Sequence, residues 1–458
     1  MKLSPINFQI RNNLSNKKVQ SSPINKINFK SNFDSVSFSN TQPKIEEEIQ
    51  DITLQKLDEA KKIQDKSFYA LKRGSEVLKD GEDIRKRYFD IKEQSKANLS
   101  EAQKKADFLQ ETFDKKSPSV FMIEQPDANI SYMTDTRGDY ETFATFSNGK
   151  LTSFIEFKYG DNQFVDEYNL SNGKVYEIFK NAATFNETPV VSEDELSTDD
   201  EFEEEGCIKK VADEYYSFDK NGNLAKYSKG FNYISGLDYY YKGNEESFFK
   251  GKNNKLVYMK DTYEKFDDTS SSEPTLKSHI GKMIDFDDTS LTTYISNINK
   301  EKTNDYTISK SEEGLVFEYG RLKEYKTNIL DSAYPFVHEL KGDEIFGFDE
   351  NYQLVDYKEG YDYSESGPEV TEETKRHLTF ENEKLKSYVK NNKANRIYNV
   401  VTNRAAETIN FSDGAPQSYE SNYQQDLPFP LSYKDGTSAT FDYFGNVETV
   451  KNKKIDAN

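Results

Sequence analysis

The sequence has little of the chemistry on which metal sites and disulfide frameworks depend. Its 458 residues include one cysteine, no tryptophan and three histidines. The single thiol, Cys207, excludes an intrachain disulfide framework and any metal site built from several cysteines. Three histidines (His279, His338 and His377) disfavour a histidine metal centre, so we expect no metal. No apolar run approaches the roughly 18 residues of a membrane-spanning helix, and we expect no membrane span.

The net charge is strongly acidic. Lys and Arg number 61 and Asp and Glu number 81, which gives −20. Nucleic acids bind basic surfaces, so this balance predicts no nucleic-acid partner. The sequence also lacks a Walker phosphate loop, a G-x-S-x-G nucleophile motif and a dinucleotide fingerprint. We therefore expect no enzyme, no catalytic residue and no cofactor.

Two short motifs resemble metal sites, and each fails at a required position. His338-Glu339 begins like a zinc-protease helix, but residue 342 is glycine where the second histidine ligand would stand. Residues 219–223 begin like a calcium loop, but Leu224 replaces the glycine that such a loop needs. A simple β-turn is the better interpretation of the second motif.

Residues 1–42 are polar and mildly basic, with six Lys or Arg and one acid. The phrase Ser4–Asn7 recurs as Ser22–Asn25. Such a composition buries too little apolar surface to offset the entropy of ordering, so we expect a disordered N-terminal arm. No apolar h-region follows Lys2, so we expect no general secretory signal. A cytoplasmic location is favoured, with export that needs no such signal as the alternative.

Residues 43–116 have the pattern of a narrow apolar stripe on a charged helix. They contain 17 basic and 17 acidic residues. Pro43 suits a first helical turn. We expect a helical hairpin or coiled coil that breaks at Lys79–Gly81, with one long helix as the alternative. Its stripe would pack on itself, on a second copy by self-association, or on the following domain, and the following domain is expected to fold without it. The stripe consists of Ile45, Ile49, Ile52, Ile84, Tyr88, Ile91, Ser95, Leu99, Ala102, Ala106, Leu109 and Phe113.

Residues 117–458 carry 53 of the 63 Phe and Tyr residues and a recurring hairpin pattern. An aromatic and an aliphatic residue bracket a turn, as in Phe146-Ser147-Asn148-Gly149-Lys150-Leu151. Asn-Gly favours a two-residue type I′ turn, which places the aromatic opposite the aliphatic residue. Other pairs expected to meet in this way are Leu170 with Val175, Phe218 with Leu224, Phe249 with Leu256, Phe286 with Leu291, Phe317 with Leu322, Phe348 with Leu354, Phe380 with Leu385, Phe411 with Pro416 and Phe441 with Val447.

The leading aromatics recur at a period of about 31 residues, which indicates a repeat array. They stand at 218, 249, 286, 317, 348, 380, 411 and 441. About ten units would give about twenty strands, arranged as an open curved meander, a closed barrel or two stacked sheets. An insertion at 190–207 interrupts the array. It contains nine carboxylates and no base, and we expect a solvated acidic loop.

A second aromatic follows each turn, three residues after the aliphatic one. In an unbroken strand this offset changes face, so we expect Phe and Leu on one face and these tyrosines on the other. One interpretation is a cross-strand ladder that holds the sheet together. The other is a face that binds peptide or glycan, which makes these tyrosines the candidate site residues: Tyr227, Tyr294, Tyr325, Tyr357, Tyr388 and Tyr419.

Two turn phrases carry a family resemblance. Phe218–Leu224 resembles a YD repeat, the hairpin unit of Rhs-type bacterial proteins, and Asn148–Leu151 is similar to the turns of MORN-like bacterial repeat proteins. The resemblance implies stacked β-hairpins. YD proteins often form shells around toxic domains, and some MORN-like proteins are described as antitoxins. The bias towards Asn, Lys, Ile, Tyr and Phe also suggests an AT-rich, bacterial genome.

The sequence therefore predicts an α+β, mainly β protein: a disordered arm over 1–42, helical residues 43–116, and an antiparallel β-hairpin repeat domain over 117–458. The function that fits best is a non-enzymatic interaction or scaffold protein, which binds a protein partner through its sheet or its helical segment. A toxin-associated shell or antitoxin-like protein is one alternative, and a carbohydrate-binding or hydrolytic protein is another.

Overall fold

A computed structural model describes most of the chain. The described residues are 42–115, 121–125, 130–135, 140–158, 164–187, 207–236, 239–267, 275–288, 290–398, 400–427, 432–433 and 436–453. The predicted arm over 1–42 lies outside them, except for Gln42, and so does nearly all of the acidic loop at 190–207.

One uninterrupted helix, α1 (Gln42–Asp114), replaces the predicted helical hairpin. Its 73 residues make it about 110 Å long. The expected break at Lys79–Gly81 is wrong, because the glycine serves close packing and does not end the helix. Gly81 is buried against Leu291 of the sheet. The coiled-coil prediction is also not confirmed, since the stripe packs on the sheet that follows it. None of the helices in the described part of the chain has the length and apolar character to cross a membrane.

The rest of the described chain is a single 23-stranded antiparallel sheet. Every strand pairs with the next one in sequence, except that β21 and β22 both pair with β20. A short 3₁₀ turn (Lys252–Asn254) joins β9 to β10. The strands are β1 (Phe121–Gln125), β2 (Ile130–Asp135), β3 (Tyr140–Ser147), β4 (Lys150–Lys158), β5 (Val165–Ser171), β6 (Lys174–Glu187), β7 (Cys207–Phe218), β8 (Leu224–Ser235), β9 (Tyr239–Lys250), β10 (Leu256–Asp267), β11 (Thr275–Phe286), β12 (Leu291–Lys302), β13 (Thr307–Glu318), β14 (Arg321–Ala333), β15 (Val337–Phe348), β16 (Leu354–Ser366), β17 (Glu369–Glu381), β18 (Lys384–Ile397), β19 (Val400–Ser412), β20 (Ala415–Leu427), β21 (Ser432–Tyr433), β22 (Gly436–Phe441) and β23 (Val447–Lys453).

The hairpin turns confirm the turn chemistry of the sequence. Asn148 and Gly149 have φ of 51° and 74°, as a type I′ turn requires. Phe146 pairs with Leu151, and the other expected aromatic–aliphatic pairs also meet, with one exception. Phe249 pairs with Val257, because the 3₁₀ turn shifts the register by one residue.

The expectation that the tyrosines lie on the opposite face from Phe and Leu is wrong. A β-bulge after each aromatic–aliphatic turn, except the β9–β10 turn, adds one unpaired residue, so an offset of three brings the side chain back to the same face. In β13–β14, Phe317 pairs with Leu322 while Val316 pairs with Glu324, which leaves Lys323 as the extra residue. Leu322 and Tyr325 are consequently both buried beneath the helix, at 2% and 6% exposure.

A row of left-handed residues crosses the sheet halfway along the second strand of eight successive hairpins. Their φ values lie between 49° and 63°, a region that asparagine and glycine tolerate best. The helix covers the strand halves between this row and the aromatic–aliphatic turns. The row consists of Asn181, Gly230, Asp261, Asn297, Asn328, Gly360, Asn391 and Asn422.

Candidate functional site: the helix-binding face of the sheet

The helix lies across the strands and runs opposite to the order of the sheet. Near its C-terminus Phe113 stacks on Phe146 of β3, with ring centroids 4.0 Å apart. Near its N-terminus Glu59 accepts a hydrogen bond of 3.1 Å from Tyr388 of β18. The aromatic, aliphatic and tyrosine side chains between these points form the helix-binding face.

The repeat of the helix matches the repeat of the sheet. Gly74 lies against Leu322 and Gly81 lies against Leu291, so seven helical residues correspond to 31 residues of sheet. One heptad advances about 10.5 Å, and one hairpin of two strands advances about 9.6 Å. The buried helical positions follow this heptad spacing: Ile49, Thr53, Ala60, Ile63, Ser67, Ala70, Gly74, Val77, Gly81, Ile84, Tyr88, Ser95, Ala102, Ala106 and Leu109.

Small residues bring the helix backbone close to the sheet in the middle of the contact. A Cβ on Gly81 would stand 2.5 Å from Leu291 Cδ1, and one on Gly74 would stand 2.9 Å from Leu322 Cδ2. Both distances are shorter than real carbon–carbon contacts allow. Glycine is therefore required here by the approach of the two surfaces.

The heptad spacing is interrupted once, where Ser95 and Leu99 each follow the preceding contact residue by four positions. Ile91, Ser95 and Leu99 are all buried or half-buried, and Leu99 Cδ2 lies beside Gly222 of the β7–β8 turn. A straight helix drifts by about 20° per heptad relative to a 3.5-residue repeat. The step of eight residues from Ile91 to Leu99, one more than a heptad, rotates the contact stripe back towards the sheet.

Five ion pairs at steps of seven residues join the helix to successive hairpins, and we call them the ion-pair series. In three of the five pairs the helix supplies the base, and in the other two it supplies the acid. The helix therefore carries a specific order of charges. Lys66, Arg73 and Arg87 pair at 2.8, 3.0 and 3.0 Å. The pairs are Glu59–Arg376, Lys66–Glu344, Arg73–Glu313, Asp80–Lys282 and Arg87–Glu246.

Arg73 makes the most complete of these contacts. Its Nε donates to both carboxylate oxygens of Glu313, at 3.0 and 3.1 Å, and its Nη2 donates to the same carboxylate and to the Tyr294 hydroxyl at 2.9 Å. The hydrogen bond to Glu313 raises the pKa of Arg73 above its ordinary value, against the effect of burial. Such bidentate geometry fixes both direction and position.

Glu59 forms the first pair of the ion-pair series, in which the helix supplies the acid and the sheet supplies the base. It accepts hydrogen bonds from Lys56 at 3.0 Å and from the Tyr388 hydroxyl, and it pairs with Arg376 at 3.3 Å. Burial raises the pKa of Glu59, but the bonds from Lys56 and Tyr388 outweigh that effect and the pKa lies below its ordinary value. The carboxylate is therefore held ionised against the sheet.

Two glutamines bind the hairpin turns as an added strand would. Gln110 Nε2 donates to Gly149 O at 3.0 Å while its Oε1 accepts from Leu151 N at 2.8 Å. Seven residues earlier, Gln103 makes the same pair of bonds to Gly173 O and Val175 N, at 2.9 and 3.0 Å. Both side chains satisfy backbone groups that the turn leaves unpaired.

The six candidate tyrosines lie in this interface, between 0% and 8% exposed. Their hydroxyls bond to carboxylates or to the helix, as Tyr357 does with Glu344 at 2.7 Å and Tyr294 with Arg73. Burial is the main cause that raises the pKa of each, to about 12 for Tyr419. The structure places them against the helix of the same chain, and their binding of an outside peptide or glycan stays a prediction.

Sequence reasoning missed one tyrosine of the buried tyrosine row under the helix, and it missed the whole ion-pair series. Tyr258 is 2% exposed under the helix, but it follows Leu256 by two residues because β10 has no bulge there. The charges at 59, 66, 73, 80 and 87 are visible as a seven-residue spacing in the sequence. Their partners recur at steps of 31 to 36 residues, and only the fold shows which helical charge meets which strand.

Comparison with known proteins gives no family assignment for the chain. No protein-family model matches it, and no curated protein matches it. The helix-binding face is suited to a helix with heptad spacing. Its apolar contacts stabilise the bound helix, and the ion-pair series determines the position of that helix.

Proposed function

We propose that the protein is a non-enzymatic scaffold that binds a protein partner through the solvent-facing side of its helix. The observation that carries this proposal is the exposure of Phe68 and Tyr69, which are 67% and 65% exposed in the N-terminal half of α1. Large aromatic residues dominate the energy of protein interfaces, and charged neighbours commonly form the rim around them. Lys61, Asp65 and Lys72 are exposed charges on either side of this pair.

The sheet supports such a role by holding the helix in place. The ion-pair series and the buried heptad positions fix the backbone of α1 along most of its length. A partner that binds Phe68 and Tyr69 therefore meets a preorganised surface and pays little ordering entropy. The tyrosine row is buried under the helix, so the helical segment offers the more accessible surface of the two that the sequence suggested.

The experiment is affinity capture from a lysate of the source organism with the tagged full chain. We compare wild type with the double variant Phe68→Ser/Tyr69→Ser and with the control Lys86→Ser/Lys104→Ser, which alters two exposed residues of the same helix away from the pair. We expect one protein at stoichiometric yield with wild type and control, and its loss with the aromatic variant.

Two results would contradict the proposal. One is capture of no protein by wild type, and the other is equal capture by the aromatic variant. Sedimentation velocity on the same three proteins tests self-association through residues 43–116. A dimer that depends on Phe68 and Tyr69 would make the partner a second copy of the chain. The toxin-associated and carbohydrate-binding alternatives stay predictions from the sequence, and no contact in the helix–sheet interface favours either.

A further inference from the structure

A cleft of about 470 Å³ lies at the end of the β18–β19 hairpin that is remote from the helix-binding face. Asn395 and Ile397 of β18 line one side, and Val400, Thr402 and Arg404 of β19 line the other. The register pairs Asn395 with Thr402 and Ile397 with Val400, so these side chains share one face of the hairpin. The volume falls in the usual range for ligand sites.

One end of the cleft has surplus positive charge. Lys393 and Arg404 stand directly opposite each other in the register, and like charges in that position destabilise a sheet. Glu373 pairs with Lys393 and neutralises it. Arg404 is exposed and makes no hydrogen bond or ion pair with any residue that the structure describes. Arg404 is therefore a cation without a counterion in the described part of the chain, and an anion bound there would supply one.

The middle of the cleft offers a free hydroxyl, that of Thr402. Thr402 lines the cleft opposite Asn395, and its side chain makes no hydrogen bond with the described residues. Asn395 Nδ2 donates to Glu369 Oε1 at 2.8 Å. Asn395 Oδ1 is closed to solvent, so the Thr402 hydroxyl is the group that a ligand in the cleft reaches.

The other end is apolar and open. Ile397 is 43% exposed and Val400 is 47% exposed, with Tyr398 beside them at the hairpin tip. The cleft thus presents, in order along the hairpin, a cation, a hydrogen-bond acceptor and an apolar surface.

We propose that this cleft binds the C-terminal end of a peptide. The terminal carboxylate contacts Arg404, a backbone N–H donates to the Thr402 hydroxyl, and an apolar side chain packs on Ile397 and Val400. Arg404 and Val400 are four residues apart on an extended strand, so about four residues of an extended peptide, at the same rise of about 3.3 Å each, span the three positions. The inference rests on the proposed function, because the peptide end would belong to a protein partner. A small amphipathic carboxylate that is not part of a peptide would make two of the same contacts, with Arg404 and with the apolar end of the cleft.

The test is a fluorescence-polarisation titration of the full chain with labelled Gly-Ser-Leu-Leu-Ala. We compare the free acid with the C-terminal amide, and 4-phenylbutyrate serves as the small carboxylate in competition. We expect the free acid to bind at least tenfold more tightly than the amide. Arg404→Gln should weaken binding at least tenfold without lowering the melting temperature. Arg396→Gln is the matched control, since Arg396 is exposed on the other face of the same hairpin, in β18, and it should bind like wild type.

Three results would overturn the inference: no binding at millimolar protein, equal binding of acid and amide, or equal weakening by the Arg396 control. Competition by 4-phenylbutyrate at the affinity of the peptide would overturn the peptide assignment in favour of a small carboxylate. Capture of a partner through Phe68 and Tyr69 in the absence of peptide binding would remove this inference and leave the scaffold proposal standing.

Discussion

Arg73 and Glu313 are 240 residues apart in sequence and share a two-pronged ion pair in the middle of the helix–sheet interface. Their side chains are 28% and 14% exposed, so the pair is partly removed from solvent. Bidentate arginine–carboxylate contacts of this kind determine position as well as energy. The pair is therefore the best place to test whether charge fixes where the helix lies.

Reversal of one charge in this pair should loosen the helix, and reversal of both should restore it. We expect Arg73→Glu or Glu313→Arg to lower the free energy of unfolding by about 2 kcal/mol, because breaking a half-buried pair falls between the surface and buried cases. The double variant should recover to within about 1 kcal/mol of wild type. Urea unfolding measures all three proteins. Lys72→Glu, on the exposed side of the helix, is the control, and a similar loss there would refute a specific role for the pair.

Gly81→Leu should be strongly destabilising although it improves helix propensity. The added side chain has no space against Leu291, and overpacking of this kind costs about 1–3 kcal/mol or more. Ser75→Leu places the same side chain on an exposed position of the helix and should change the free energy of unfolding by less than about 0.5 kcal/mol. Equal melting temperatures for the two variants would mean that the close contact at Gly81 is unimportant.

Gln110→Ala should release the first hairpins from the helix. The change removes both hydrogen bonds to the β3–β4 turn and leaves Leu151 N without its partner, at a cost of about 1–2 kcal/mol. Hydrogen exchange at the Leu151 amide should become faster by about tenfold. Gln94→Ala changes an exposed glutamine of the same helix and should leave that amide protected. Unchanged exchange in Gln110→Ala would show that the turn does not depend on the glutamine.

The tyrosine row should make stability fall steeply in alkaline solution. Burial raises the pKa of Tyr258 and of Tyr419 to about 12, against about 10 in an unfolded chain. Because the folded pKa is the higher one, this stabilisation is complete below about pH 10 and is lost as the pH rises to about 12. We expect Tyr419→Phe to flatten the fall in unfolding free energy between pH 10 and pH 12. A slope identical to that of wild type would show that the Tyr419 hydroxyl does not contribute to it.

Removal of residues 43–116 should unfold the strand halves that lie between the row of left-handed residues and the aromatic–aliphatic turns. The sequence alone favoured a sheet that folds without this segment, but the helix buries the aromatic, aliphatic and tyrosine rows of most hairpins. Exposed apolar area of that size drives aggregation. We expect an insoluble or poorly folded product by circular dichroism and sedimentation, and recovery when the helical segment is supplied as a separate chain. A soluble sheet with native exchange protection would contradict this.

The local features of the fold could be predicted from the sequence because turn chemistry is local. Asn148-Gly149 requires positive φ at both residues, which determines the turn and the pairing of Phe146 with Leu151. The bulge could not be predicted in the same way. An extra residue such as Lys323 leaves no compositional signal, and its omission assigned six tyrosines to the wrong face.

The interface could not be predicted because its two halves lie far apart in sequence. Gly81 by itself resembles a helix breaker, and only the presence of Leu291 beside it explains a glycine inside a helix. The heptad spacing and the 31-residue period were each visible. One heptad of helix and one hairpin of sheet advance by nearly the same distance, which follows from the rise of a helix and the spacing of strands. A comparison of these two distances would have predicted the packing.

The matched spacing also constrains how such a chain can change in length during evolution. A deletion of seven residues near the middle of α1 would move Glu59 from Arg376 to Glu344 and bring two acids together. Loss of one hairpin of about 31 residues at the corresponding place in the sheet would restore the opposite charges. Insertions and deletions in the two parts are therefore tolerated in pairs, and a lineage of such chains should vary in whole units, one heptad with one hairpin.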